Sequence, residues 1–211
     1  MNALDNLISR YPALEVCREA MQKTYDTLVA CYNADGKLLV AGNGGSAADA
    51  EHIVGEMMKR GFTRKDISPA YKEALRAVDP GLGATLAEHL EGSLMAIALD
   101  GHISLTTAYM NDCEPLLCFA QQVSGYGRPG DVLLAISTSG NSKNVLYAAV
   151  AAKARGMKVI GLTGSKACKL DAYADICIKV PETETYKIQE YHLPVYHCLC
   201  QMLEQHFFDP Q

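Results

Sequence analysis

Five short apolar runs, most of them followed by a stretch with helical spacing, constrain this chain more than any other feature. They are KLLVAG from Lys37, LMAIALD from Leu94, DVLLAIS from Asp131, KVIGLTG from Lys158 and ADICIKV from Ala174. Each is too short for a stable helix and long enough for a strand. Their apolar residues are consecutive rather than alternating, so both faces of each strand must be buried. Strands that alternate with helices form a parallel sheet, because a parallel connection has to cross back over the sheet. The expected fold is therefore α/β, a three-layer α-β-α sandwich around a five-stranded parallel sheet.

With 211 residues the chain suits one domain, taken as 1–211. Ahead of the first strand lies an N-terminal helical segment, 1–36. Within it Leu14, Cys17, Met21, Tyr25, Leu28, Val29 and Tyr32 repeat at helical spacing, which predicts one long amphipathic helix over 13–33. Residues 61–92 carry Pro69, Pro80, Gly81 and Gly83 around two short helical patterns and no strand-like run. This segment reads as a helical insertion, either a solvated excursion or a lid over a site.

Charge and composition narrow the class of partner. The formal net charge of -5 offers no basic field for a nucleic acid. No apolar run reaches the length of a membrane span, and the N-terminus lacks the segments of a signal peptide, so a cytoplasmic protein is expected. The eight cysteines are scattered through apolar patterns and read as reduced core residues. Cys198 and Cys200 form C-x-C without a second cysteine pair to complete a zinc ribbon.

After the first strand, Gly42, Gly44 and Ala47 satisfy G-x-G-x-x-A, a pattern that also serves dinucleotides. A dinucleotide site would need a second strand ending in an acidic residue about 20 residues later. The sequence around 58–66 is polar and basic, so no nucleotide cofactor is expected. The strand DVLLAIS runs into TSGNSKN and then into another helical pattern. Ser137, Thr138, Ser139 and Ser142 thus place four hydroxyls at a helix N-terminus, more than a cap needs, which points to a phosphate cradle. Ligands of open parallel sheets collect beyond the carboxyl ends of the strands, so the two turns can face one crevice.

His52 and Glu56 stand four apart on one helix, a spacing that suits a shared metal, a paired acid and base, or a plain surface pair. Near the C-terminus, Gln189 and His197 lie about two helical turns apart and roughly on one side. Pro194 between them is a point where the helix would kink or begin. His192 reads as a surface or core imidazole.

AGNGGSAADAEHIVGEM, MND, AISTSGNSKN, MKVIGLTG and IQEYHLPVYH occur in this order over nearly the whole chain. This set strongly resembles the phosphoheptose isomerase branch of the sugar isomerase (SIS) domain family. The resemblance implies a flavodoxin- or Rossmann-like SIS domain that converts sedoheptulose 7-phosphate to D-glycero-D-manno-heptose 7-phosphate through an enediol. It also implies a homotetramer with active sites between subunits. Asn43, Gly44, Gly45 and Ser46 would bind the sugar, Asn111 and Asp112 would line the same pocket, and Ser137, Thr138, Ser139 and Ser142 would hold the phosphate. Glu56 and His197 match the catalytic base and acid. His52, Glu56, Gln189 and His197 match positions that bind zinc in some members, and Gln189 would also face the substrate.

Two features depart from the family pattern. Tyr186 stands where an acidic residue is common, and 61–92 is longer than the usual connection. The alternatives are a non-catalytic SIS-fold scaffold, of the kind that binds the bacterial replication initiator, or an isomerase of another phosphosugar. Glu56 and His197 favour an enzyme over the scaffold, since members of the scaffold type tend to lack both.

Overall fold

The structure, a computed structural model, describes residues 2–63 and 65–208. Met1, Arg64 and 209–211 lie outside the described residues. All five apolar runs form strands: Leu38–Ala41 (β1), Ala96–Ala98 (β2), Val132–Ile136 (β3), Lys158–Thr163 (β4) and Ile176–Lys179 (β5). They make one sheet in the order β2-β1-β3-β4-β5, with every neighbouring pair parallel.

The helices are Ala3–Arg10 (α1), Arg18–Asn33 (α2), Gly45–Met58 (α3), Pro69–Val78 (α4), Leu82–His89 (α5), Ile103–Asp112 (α6), Cys118–Tyr126 (α7), Lys143–Ala154 (α8) and Thr185–Phe208 (α9). Successive strand residues point to opposite faces, which divides the core into two layers. Leu38, Val40, Leu134, Ile136, Ile160 and Leu162 pack with residues of α1, α2, α3 and α9. Leu39, Ala41, Leu133, Ala135 and Val159 pack with α7 and α8 on the other side.

Two helix expectations need correction. The stretch 13–33 is not one helix, because Pro12–Cys17 is 3-10 and the α-helix begins at Arg18. Proline at the start and the burial of Leu14 and Cys17, three apart, suit the threefold period of a 3-10 turn. The apolar stripe survives the change, since Leu14, Cys17, Met21 and Leu28 are all buried. Of the kink or helix start expected at Pro194, the start does not occur, for α9 runs through it. Val195, Tyr196, Leu199 and Leu203 are buried on the sheet, and this packing outweighs a local penalty of about 3 kcal/mol.

At the amino ends of the strands Asp131 joins β1 to β3. Its Oδ2 lies 2.6 Å from Lys37 Nζ and accepts from Arg128 N at 2.7 Å, while Oδ1 accepts from Lys37 N at 3.0 Å. The pair that carries the two candidate turns is thereby held in register from the opposite end. The 61–92 segment forms α4 and α5. Its base is closed by an antiparallel bridge between Asp66 and Glu91, and Gly92 N donates to Lys65 O at 2.8 Å.

The cysteines are all free. Cys17, Cys31, Cys118, Cys198 and Cys200 are buried, Cys168 and Cys177 half-buried, and Cys113 exposed. Burial pushes the Cys198 and Cys200 thiols up to about 12, which suits packing rather than ligation by thiolate. Among the described residues no helix is long and apolar enough to cross a membrane.

Candidate active site

The chain leaves β1 for β2 on one side, while β3 joins β1 on the other. This is the switch point at which an open parallel sheet forms its crevice. Both candidate turns stand there. After β1, Gly44 adopts φ 57° and ψ -119°, a conformation that essentially only glycine tolerates. Ser46 N then donates to Asn43 O at 3.0 Å and Ala47 N to Gly44 O at 3.1 Å as α3 begins. A Cβ at Gly45 would collide with the amide of Gln189, so the absence of a side chain lets α9 close over the turn.

After β3, Ser137 Oγ and Ser142 Oγ lie 3.0 Å apart, and Asn141 N donates to Ser139 Oγ at 3.2 Å. α8 follows at once, so its positive end faces the same hydroxyls. The two turns are tied together. Asn43 Nδ2 donates to Asn144 Oδ1 at 3.0 Å, and Asn144 Nδ2 donates to Asn43 Oδ1 at 2.7 Å. A cavity of about 170 Å³ opens beside the second turn, lined in part by Thr138, Ser139, Asn141, Ser165, Lys166 and Thr183.

Farther along α3, the i,i+4 spacing brings His52 Nε2 to 3.6 Å from Glu56 Oε1. α9 brings His197 to the same place, with its Nε2 3.4 Å from His52 Nε2 and the ring centroids 4.9 Å apart. The other His52 nitrogen, Nδ1, is 2.9 Å from the hydroxyl of the buried Tyr196. Burial lowers the His197 pKa and the neighbouring His52 lowers it further, against the opposing pull of Glu56. Burial raises the Asp49 carboxyl, offset in part by Tyr196 and His52. Phe62 meets His197 edge to face at 6.3 Å between centroids. A second cavity, about 210 Å³, lies against His197, Phe62, Arg10, Tyr11, Glu190 and Gln201 and shares no lining residue with the two turns.

The SIS domain family model matches residues 84–164. Over 188 residues the chain is 42% identical to the phosphoheptose isomerase of Rhodospirillum rubrum, covering 89% of this chain and 86% of the relative. It is 40% identical to that of Thiobacillus denitrificans over 199 residues, covering 93% of this chain and 88% of the relative. The solved phosphoheptose isomerase of Neisseria gonorrhoeae superposes with a TM-score of 0.74 at 34% identity, covering 95% of this chain and 94% of that one. The chain belongs to the phosphoheptose isomerase family.

Within this family member, the structure gathers the residues singled out in the sequence into two groups. Asn43, Gly44, Gly45, Ser46 and Gln189 meet at the first turn, near Ser137, Thr138, Ser139 and Ser142. His52, Glu56 and His197 form the second group. Asn111 and Asp112 stand apart at the end of α6, exposed, with Asn111 Nδ2 donating to Asp112 Oδ1 at 2.8 Å. Among the described residues no hydrogen bond joins them to either turn. His192 is fully buried in the core. Tyr186 is exposed on the first turn of α9.

Sequence reasoning missed Asn144, Tyr196 and Asp49. Asn144 was visible only as the last residue of TSGNSKN, and nothing local marks it as a partner of Asn43, 101 positions away. Among the described residues no group of three or more His, Cys, Asp or Glu side chains is drawn together as a metal centre. The nearest approach to a donor set is the pair of facing imidazole nitrogens with Glu56 beside one of them.

Proposed function

We propose that this chain interconverts sedoheptulose 7-phosphate and D-glycero-D-manno-heptose 7-phosphate, with Glu56 as the base and His197 as the acid. The observation that carries the assignment is the meeting of Glu56, His52 and His197 from two helices, both of which also reach the glycine turn. Ser137, Thr138, Ser139 and Ser142 hold the phosphate at the N-terminus of α8. Asn43, Gly44, Gly45, Ser46, Asn111, Asp112 and Gln189 hold the sugar. Binding energy from the non-reacting phosphate fixes the reacting end.

The isomerisation moves a carbonyl from C2 to C1. Glu56 removes a proton from C1, and His197 supplies one to O2 to give the enediol. Glu56 then returns its proton to C2 while His197 takes the O1 proton, which leaves the aldehyde and restores both side chains. Incubation in D2O tests the assignment: C2 of the aldose should carry deuterium whenever the base exchanges its proton with solvent. Conversion of no ketose phosphate at all would end the proposal in favour of a binding scaffold.

Of the four residues that the family pattern assigns to zinc, His52, Glu56 and His197 meet and would hold the ion, while Gln189 stands at the glycine turn. The facing Nε2 atoms, 3.4 Å apart, match two nitrogens that share one tetrahedral ion at roughly 2.0–2.1 Å each. Such an ion would polarise the substrate carbonyl. The proton transfers above need a Glu56 oxygen and a His197 nitrogen that the ion does not hold.

We assign the working form to a homotetramer with sites between subunits. Glu56 lies eleven positions into α3 from Gly45, about 16 Å at 1.5 Å per residue, whereas an extended seven-carbon chain reaches roughly 10 Å. A ligand held at one chain's turns therefore falls short of that chain's own Glu56. α6, which ends in Asn111 and Asp112, has no buried residue and exposes Ile103, Leu105 and Met110, a face suited to a neighbouring subunit. Residues 1–211 act as one SIS domain with 61–92 as an insertion, and the free thiols suit the cytoplasm.

A further inference from the structure

Lys65 and Glu204 are charged residues in the core, 1% and 2% exposed, with Nζ 3.2 Å from Oε2. Charges of this kind are rarely buried without a task. Each binds more than its partner. Lys65 Nζ donates to Glu56 O at 2.8 Å, Met57 O at 3.4 Å and Lys59 O at 2.7 Å. These carbonyls belong to the end of α3, where a helix leaves its acceptors unpaired.

Glu204, on α9, takes the opposite part. It accepts from Gly61 N at 2.9 Å, Phe62 N at 3.0 Å, Thr63 Oγ1 at 3.0 Å and also from Thr63 N. The pair thus ties the end of α3, the first residues of the insertion and α9 to one point. Gly61 and Phe62, the backbone held by Glu204, touch the two side chains assigned to chemistry. A Cβ at Gly61 would strike Glu56 Oε2, and Phe62 packs against His197.

We propose that Lys65 and Glu204 are positioning residues of the isomerase, holding the Gly61–Phe62 wall against Glu56 and His197 so that carboxylate and imidazole keep their aim at C1, C2 and their oxygens. The proposal rests on the assignment of Glu56 and His197 made above. It accounts for a buried ion pair that neither the cradle nor the sheet requires. It also gives the insertion a role at its base, independent of what α4 and α5 do.

Three variants test it in the full-length chain with sedoheptulose 7-phosphate: Glu204→Gln, Gly61→Ala and Glu56→Gln. Glu204→Gln should lower kcat by about 10- to 100-fold with KM within about twofold, because reacting groups lose aim while phosphate binding persists. Gly61→Ala leaves the ion pair intact and should lower kcat similarly at an unchanged melting temperature, which separates positioning from folding. Wild-type kcat in Gly61→Ala, with Glu204→Gln losing activity only in proportion to its unfolded fraction, overturns the proposal. Glu56→Gln locates the fault: if it is inactive while the other two turn over normally, only the positioning role falls. If Glu56→Gln is itself active, the assignment of the base falls and takes the positioning role with it.

Discussion

Asn43 and Asn144 exchange two side-chain hydrogen bonds, at 3.0 and 2.7 Å, across the junction of β1 and β3. Asn144 Oδ1 also accepts from Val145 N at 3.0 Å inside the first turn of α8. Two turns that leave different strands are thereby made one surface, and the distance between the turn after β1 and the turn after β3 is set before any ligand arrives.

Asn144→Ala should weaken substrate binding more than it slows the chemistry. Removing two hydrogen bonds worth about 1 kcal/mol each lets the turns move apart, and the loss falls on ground state and transition state alike. KM should rise about tenfold with kcat within about threefold. Steady-state kinetics will check this, and a fall in kcat at constant KM would show that the amide pair serves the reacting end instead.

Subunit mixing separates a shared site from one complete within each chain. Glu56→Gln should remove the base, worth about 10²- to 10⁴-fold, and leave the cradle intact. Ser142→Asp puts a carboxylate into the proposed cradle at the N-cap position of α8, where Asp is a favoured residue. Each variant alone should be inactive. Refolded together in equal amounts, they should recover about a quarter of wild-type activity if turns and base come from neighbouring subunits of a symmetric assembly. No recovery would place the whole site within one chain.

The elements that were legible in the sequence are those whose cause is local. Strands showed as apolar runs because the sheet buries both faces, and the turns showed because glycine and hydroxyl residues occupy fixed offsets after β1 and β3. The approach of His52 to Glu56 followed from helical geometry alone. Over the six residues Pro12–Cys17, periods of 3.0 and 3.6 bury nearly the same positions, so the 3-10 stretch could not be told from the start of α2. Contacts made by folding left no spacing to read. Tyr196 meets His52 across 144 positions and Glu204 meets Gly61 across 143, so neither could have been picked out from its neighbours in the chain.

His192 should make the fold sensitive to acid. The ring is fully buried, and it approaches the Thr163 backbone without either nitrogen completing a hydrogen bond. Burial, only partly opposed by that backbone group, lowers the pKa from 6.5 to about 4. The unfolded chain then binds a proton that the folded chain refuses. Stability is fully present above about pH 6.5 and falls as the pH drops toward 4, by about 3 kcal/mol over this window. Guanidinium denaturation from pH 7 to 4.5 should show the decline. His192→Phe, which removes the unpaired nitrogens and keeps the bulk, should match or exceed wild-type stability at pH 7 and lose most of this slope. An unchanged slope would assign the acid sensitivity to other groups.

Tyr196→Phe tests what holds His52 in place. The imidazole is pinned from both sides, by the Tyr196 hydroxyl 2.9 Å from Nδ1 and by His197 Nε2 3.4 Å from its own Nε2. Deleting the hydroxyl leaves the ring with edge contacts to Tyr196 and His197 at 5.5 and 4.9 Å between centroids, which restrain its position but not its rotation. It also removes a polar neighbour of the half-buried Asp49 carboxyl, whose pKa should rise further. The fold should lose about 1–2 kcal/mol, because one buried hydrogen bond goes while the aromatic packing stays. kcat should fall about tenfold, since His197 loses the fixed nitrogen that orients it. Nitrogen-15 chemical shifts of the His52 ring report the tautomer directly: a shift together with the loss of kcat supports the relay from Tyr196 through His52 to His197. Wild-type kcat and an unaltered tautomer would show that the hydroxyl only fills space.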